Sequence, residues 1–219
     1  MASAFWNGQY AIFGDGDTNF PEGERRFGDF ARVPTIVWGI LTREMIPYIA
    51  PLSNRNQSGT LSTSFRDVFA VLVEQWHKHQ TVEEADWLMG VGIYATREAI
   101  SSLKAPGTAY NNLVLGKDPQ PSHMDNYVDT PNNNGGVHIN SGIPNHAFYL
   151  IAKEIGGHAW EEAGQIWYQT LFRLTPTSDF DDFAQKTFGV AGERYGDGSP
   201  EQDAVRNGWE AVGISVRQR

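Results

Sequence analysis

Residues 134–145 read Asn134-Gly135-Gly136-Val137-His138-Ile139-Asn140-Ser141-Gly142-Ile143-Pro144-Asn145. Two adjacent glycines let the backbone enter positive φ, so Gly135-Gly136 predicts a tight turn. Asn140 and Ser141 are helix-capping residue types. An amphipathic period follows over residues 144–155. The stretch therefore reads as a turn that feeds a helix, with His138 between the two. Further downstream the helical period recurs over residues 159–174, 179–195 and 200–214. Thr177-Ser178-Asp179 and Ser199-Pro200-Glu201 supply opening caps. Gly156-Gly157, Gly196 and Gly213 stand where helices end.

Upstream, residues 95–137 are loop-rich, with Ala105-Pro106-Gly107, Asp118-Pro119-Gln120-Pro121 and three asparagines after Pro131. So long an irregular stretch in a compact domain is usually functional or descends from something functional. Residues 33–80 predict two helices. The first opens at Pro34, carries Ile36, Val37, Ile40 and Leu41, and is expected to stop before Pro47 or Pro51. The second runs from Ser62 to His79, with Phe65, Val68, Phe69, Leu72, Val73 and Trp76 at helical spacing. At the start, Ala4-Phe5-Trp6 and Tyr10-Ala11-Ile12-Phe13 flank an Asn7-Gly8 turn and predict a hairpin. The fold class is mainly α with a small N-terminal β element. Residues 1–219 are expected to form one domain, with hairpin and loop over 1–30 and helices over 31–219.

Composition narrows the partners. The 219 residues are 40% hydrophobic, 20% charged and 12% aromatic, which suits a globular domain and not a disordered chain. A formal charge of −9 argues against nucleic acid, which needs a basic stripe, and against anionic membranes. No apolar run approaches the ~18 residues of a membrane-spanning helix. The absence of cysteine removes thiolate nucleophiles, disulfides and sulfur-ligated zinc. The start has neither the basic segment nor the apolar core of a secretory signal, and the compartment stays unknown.

The string at 134–145 resembles the thermolysin family of zinc metallopeptidases, whose helical domain carries NGGVHINSGI. Other strings agree in order and spacing. Ala4-Phe5-Trp6-Asn7-Gly8 and Phe13-Gly14-Asp15-Gly16-Asp17 are similar to the family's edge strand and the turn after it. Asn56-Gln57-Ser58-Gly59 and Asp67-Val68-Phe69 are similar to the segment around its third zinc ligand. Lys104–Tyr110 and Gly116–Pro121 resemble the protealysin-like subgroup, and Leu174–Ser178 matches a loop near the C-terminus. The resemblance runs from about residue 3 to residue 213 and implies a thermolysin-like C-terminal helical domain. Most of the β-rich lobe that precedes this region in the family has no counterpart in the sequence.

A zinc peptidase needs two histidines one helical turn apart, a glutamate general base between them and a carboxylate from a second helix. By resemblance the HExxH slot falls on Gly39-Ile40-Leu41-Thr42-Arg43. Gly39 then stands for the first histidine, Ile40 for the base, Arg43 for the second histidine, and Thr63 for the zinc-binding glutamate. Gly and Ile offer no side-chain donor, and a permanent guanidinium repels a divalent cation. The family's oxyanion tyrosine maps to Asn54, its histidine-orienting aspartate to Asn133 and its carbonyl-binding arginine to Ser101. His138 is retained, and without that carboxylate it should be less basic. The clustered calcium carboxylates map to Glu74 and Asp86, with Thr35 and Val91 at partner positions, so no structural calcium is expected there. His77-Lys78-His79 diverge on a helix and do not form a metal clamp.

The expected function is therefore that of a metal-free pseudopeptidase without cofactor. Its cleft, made of Ala4, Phe5, Trp6, Gly39, Ile40, Arg43, Asn54, Thr63, Ser101, Asn133 and His138, would bind a peptide or a small hydrophobic or anionic ligand. In the family the edge strand holds an extended peptide by β-augmentation, with Ser3 here replacing the asparagine before it. On a structural reading the same strings simply hold the fold, with Phe5 and Trp6 in the core. A second function is a repurposed, metal-independent enzyme catalysing cyclisation, isomerisation or elimination, with His138 as catalytic acid or base and Arg43 as anion clamp. A third is a structural subunit, which an uncovered apolar face would drive to homo-oligomerise.

Overall fold

The structure, a computed structural model, describes residues 1, 3–21 and 25–217. Strands β1 (Ala4–Trp6) and β2 (Ala11–Phe13) form the antiparallel hairpin, with Phe5 opposite Ile12. Asn7 closes the turn by accepting from the backbone N–H groups of Gln9 and Tyr10 through Oδ1, at 3.0 and 2.8 Å. Gly8 takes φ 101° there. Phe5 and Trp6 do not enter the core. Each is 37% exposed, because a two-stranded ribbon of three-residue strands has too little surface to cover both faces.

Helix α1 (Pro34–Ile49) begins at Pro34, runs through Pro47 and stops before Pro51, the second of its two expected ends. Pro47 has no N–H, so the carbonyl of Arg43 lacks its i+4 partner. The helix nevertheless closes, because the Ala50 N–H reaches the Ile46 carbonyl at 2.8 Å. Helix α2 (Asn56–Lys78) starts six residues before Ser62. Its first turns bury Ser58, Gly59 and Thr60, small residues that a hydropathy pattern does not count as core. His79 ends it in the left-handed region at φ 53°.

Two-residue strands β3 (Leu88–Met89) and β4 (Ser101–Ser102) pair antiparallel and set Met89 opposite Ser101. Strands β5 (Asn111–Asn112) and β6 (Gly116–Lys117) form a second small ribbon. Buried Asp118 organises this loop region. It accepts from the N–H groups of Gly107, Ala109 and Gln120 at 3.0–3.1 Å.

The turn α3 (Asn133–Gly136) takes positive φ at all four residues, with Gly135 at 86° and Gly136 at 72°. A Cβ on Gly135 would stand 2.3 Å from Asn56 Oδ1, so glycine lets this turn close on the start of α2. Helices α4 (Gly142–Ile155), α5 (Glu162–Leu171), α6 (Phe180–Tyr195) and α7 (Pro200–Ala211) complete the chain. Asp179 and Ser199 cap α6 and α7, accepting from the N–H groups of Asp182 and Gln202. Ser141 precedes α4 but makes no capping bond. Asn140 is fully buried and instead clamps both the N–H and the carbonyl of Val128, at 2.9 and 3.0 Å. Helix α5 begins after residue 159 and ends before 174, and α7 stops before 214.

The main core lies between α2, α4, α5, α6 and α7. Trp167 stacks on Trp209 with ring centres 5.7 Å apart, and Phe183 packs edge-on against both. Trp209 also donates Nε1–H to Thr187 at 2.8 Å. A second cluster of Phe30, Val33, Ile36, Ala70, Met89 and Ile93 joins α1 to the hairpin and to β3.

Candidate functional site

On α1 the residues at helical spacing 36, 39, 40 and 43 share one face. That face, with β1, the β3–β4 ribbon, α2 and the turn around His138, encloses a cavity of about 290 Å³. Ala4, Gly39, Ile40, Arg43, Ser101 and His138 line it. The other sequence candidates lie elsewhere. Asn54 is exposed between α1 and α2, and exposed Asn133 sits at φ 52°. Thr63 is 8% exposed and spends its hydroxyl on the Gly59 carbonyl at 3.3 Å. Trp6 faces a different groove.

Arg66, which the sequence reading did not single out, also lines the cavity. It projects from α2, and its Nε and Nη2 donate to Asp67 Oδ1 at 2.9 and 2.7 Å. Asp67 is 2% exposed. Its Oδ2 accepts from Asn145 Nδ2 at 3.2 Å, and Asn145 Oδ1 accepts from Ser64 Oγ at 2.7 Å. Every partner in this relay comes from α2 or α4, so the guanidinium is held from behind by the core. Arg43 makes no hydrogen bond or ion pair among the described residues and is exposed.

Gly39 faces this arginine directly. A Cβ at position 39 would sit 2.9 Å from Met89 Cε and 3.6 and 3.8 Å from Arg66 Cγ and Cδ. The space beside Gly39 is thus already filled by the thioether and the guanidinium stem. Met89 is fixed there by its pairing with Ser101.

His138 stands at the mouth. Its carbonyl accepts from Gln120 Nε2 at 2.9 Å and from Ser141 Oγ at 3.3 Å. Its ring makes no hydrogen bond among the described residues. Although His138 is exposed, loss of hydration beside the cavity lowers the imidazole pKa below its ordinary 6.5, and Arg66 and then Arg43 add to the effect, while Asp67 opposes it. The imidazole is consequently neutral at pH 7.

Chemically the cavity offers apolar walls from Phe30, Ile36, Ile40, Met89 and Ile100, two guanidinium groups, the Asp67 carboxylate already engaged by Arg66, and one imidazole. One engaged carboxylate and one imidazole beside two guanidinium groups do not fit a divalent cation, which needs several such ligands converging on one point. Among the described residues no three His, Asp or Glu side chains are grouped to hold a metal ion. The positions that the resemblance assigns to a calcium site have partners or surroundings of their own. Thr35 Oγ1 accepts from the Gly90 N–H, Glu74 pairs with Lys78, Asp86 accepts from the Leu88 N–H, and Val91 is exposed. His77, Lys78 and His79 are exposed at the end of α2.

Beside the cavity, strand β1 has an open edge. Gly14 N–H bonds to the Ser3 carbonyl and Asn7 N–H to the Tyr10 carbonyl, so the alternation of an antiparallel pair turns the N–H and C=O groups of Ala4 and Trp6 outward. Around the outer side of α1 runs a wider groove of about 580 Å³, lined by Trp6, Trp38, Leu41, Met45, Tyr48 and Tyr168 among others.

The signal for Arg66 was an Arg-Asp pair inside an apolar helical period. Met89 and Gln120 became visible only once strand pairing and the Asp118 loop had been placed.

A family profile described as the thermolysin metallopeptidase, alpha-helical domain, matches residues 50–214. The chain is 46% identical to the "Extracellular metalloprotease" of Pectobacterium carotovorum subsp. carotovorum over 99% of its own length and 61% of the relative. It is 39% identical to "Protease PrtS" of a Photorhabdus species, covering 99% of itself and 58% of that protein. Among solved structures it superposes on the precursor of protealysin, a metalloproteinase from Serratia proteamaculans. The TM-score is 0.90 at 44% identity, with 97% of this chain and 65% of that one covered. The chain therefore spans about three fifths of the length of these relatives.

Proposed function

The chain belongs to the thermolysin metallopeptidase family, as its alpha-helical domain, and from that membership we propose that it is a pseudopeptidase. In this reading the zinc-binding motif has been lost, with Gly39, Ile40, Arg43 and Thr63 at its positions. The remodelled cleft binds a peptide or a small hydrophobic or anionic ligand without zinc-dependent hydrolysis. One observation carries the proposal. Gly39, which the resemblance sets at the first-ligand position, has its side-chain space bordered by Met89 and Arg66, and a second cation, Arg43, one helical turn further on, lines the same cavity. Two guanidinium groups where a divalent ion would sit oppose its binding. The open edge of β1 supports an extended ligand beside the cleft.

The test is zinc titration by calorimetry, followed by metal analysis after dialysis. No stoichiometric uptake at micromolar zinc is expected. Tight one-to-one uptake would overturn the reading.

A second reading, a metal-independent enzyme, is favoured by His138. Its neutral ring, free of protein hydrogen bonds among the described residues, is suited to take a proton from a substrate, with Arg43 holding an anion. Turnover of any cleft ligand that disappears in His138→Gln, with binding retained, would establish it.

A further inference from the structure

The charge balance of the cavity identifies its ligand more closely. Two guanidinium groups, Arg43 and Arg66, and one carboxylate, Asp67, line it, and among the described residues the only other ionisable lining group is His138, whose pKa is lowered so that the neutral ring is favoured. The sum is one positive charge, set in a chain whose formal charge is −9. Asp67 takes Arg66 through Nε and Nη2 on a single oxygen, and Nη1 bonds to nothing among the described residues. Arg66 is thus pre-oriented with a donor to spare. Arg43 follows Gly39 by four residues and lies on the same face of α1. A Cβ at Gly39 would lie 3.6 Å from Arg66 Cγ, and both guanidinium groups line the same cavity and act on the His138 ring, so two helices bring their cations to one site. The other lining groups, Phe30, Ile36, Ile40, Met89 and Ile100, are apolar.

Resting on the metal-free reading of the cleft, we infer that its ligand is a monocarboxylate bearing an apolar group. The carboxylate lies between Arg43 and Arg66, and the apolar group packs on Ile36, Ile40 and Met89. A monoanion matches the single net charge, whereas a phosphate dianion would bury an unbalanced negative charge. The volume of about 290 Å³ lies at the small end of ligand pockets and suits one aromatic or branched group. The same chemistry is offered by the free C-terminus of a peptide lying along β1 and by a small apolar acid.

The test is calorimetric titration of the full chain with four probes. These are N-acetyl-alanyl-phenylalanine as the free acid, the same dipeptide as its C-terminal amide, 3-phenylpropanoate, and inorganic phosphate. The free acid should bind one-to-one and at least tenfold more tightly than the amide. Arg66→Gln and Arg43→Gln should each weaken the acid roughly tenfold or more and leave the amide unchanged. Since Arg66→Gln strips buried Asp67 of its partner and can impair folding, Arg43→Gln, at an exposed position, serves as the second variant. Binding of 3-phenylpropanoate as well as the peptide acid supports the inference with a small acid as sufficient. Binding of the peptide acid alone supports it with a peptide C-terminus as the source. Equal binding of acid and amide would overturn the carboxylate inference while leaving the metal-free cleft in place. Phosphate binding as tight as the acid would overturn it in the same way. No binding of any probe up to millimolar concentration would overturn both it and the cleft reading.

Discussion

Helices α1 and α2 lie side by side, yet they live in different surroundings. Helix α2 buries thirteen of its 23 residues and is enclosed by the core, whereas α1 buries five of 16. The outer face of α1 leaves Trp38 39%, Met45 60% and Tyr48 92% exposed. Its inner face closes the cavity with Gly39, Ile40 and Arg43. The difference separates two duties. Helix α2 carries the stability of the domain and anchors Arg66 through core hydrogen bonds. Helix α1 contributes little burial and instead supplies a wall and an untethered cation.

The sharpest way to break this comparison is to truncate one ring on each helix. Phe65, 1% exposed and packed against Phe69 and Phe183, should cost about 3–5 kcal/mol as Phe65→Ala. Tyr48→Ala should stay within about 0.5 kcal/mol. Urea unfolding of the two variants measures both, and equal losses would show that α1 is as structural as α2.

A smaller effect is expected at the anchor. Asp67→Asn weakens the hold on Arg66 and on Asn145, and should lower stability by about 2–3 kcal/mol. An unchanged urea midpoint would mean that the relay behind Arg66 contributes nothing.

The two helices should also act unequally on His138. Arg66→Gln is expected to raise the imidazole pKa more than Arg43→Gln, since Arg66 depresses it more strongly. Titration of the ring by NMR reads this, and the reverse order would place Arg43 nearer the ring. The same depression has a consequence for stability. His138 and His146, the latter lowered chiefly by burial, both bind protons more weakly folded than unfolded. The unfolded chain therefore gains protons first as pH falls through about 6.5, and stability should decline there. His146→Gln should flatten that slope in urea melts between pH 7.5 and 5.5.

Gly39→Ala should have the least effect. The gain in helix propensity, up to ~1 kcal/mol, is offset by displacing the flexible end of Met89, and a net change within about 0.5 kcal/mol is expected. A large loss would show that Met89 cannot yield.

The helices were legible because their apolar positions recur at 3.6 residues and their caps are short-range. Asp179 and Ser199 cap as their residue types suggest. The errors have local causes. The end of α1 was readable only as one of two prolines, and it falls before Pro51 because the Ala50 N–H bond carries the helix past Pro47; the start of α2 was missed because it is buried through Ser58, Gly59 and Thr60, which look polar or neutral in sequence. Ser141 passes the role of cap to nothing, while Asn140 ties the preceding loop. In the cleft, positions on one helix face were readable together, as Gly39, Ile40 and Arg43 are. Met89 and Gln120 come from segments whose approach depends on tertiary pairing, which no local pattern encodes, and Ser101 was reached through the resemblance alone.

The interlock of Gly39 with Met89 and Arg66 makes the order of substitutions matter. A Cβ at position 39 needs only the end of Met89 to move, but a longer side chain must also pass the Arg66 stem, so its cost depends on what stands at 89 and 66. The cost of any substitution at position 39 is therefore set by the residues at 89 and 66, and these three positions are expected to vary together.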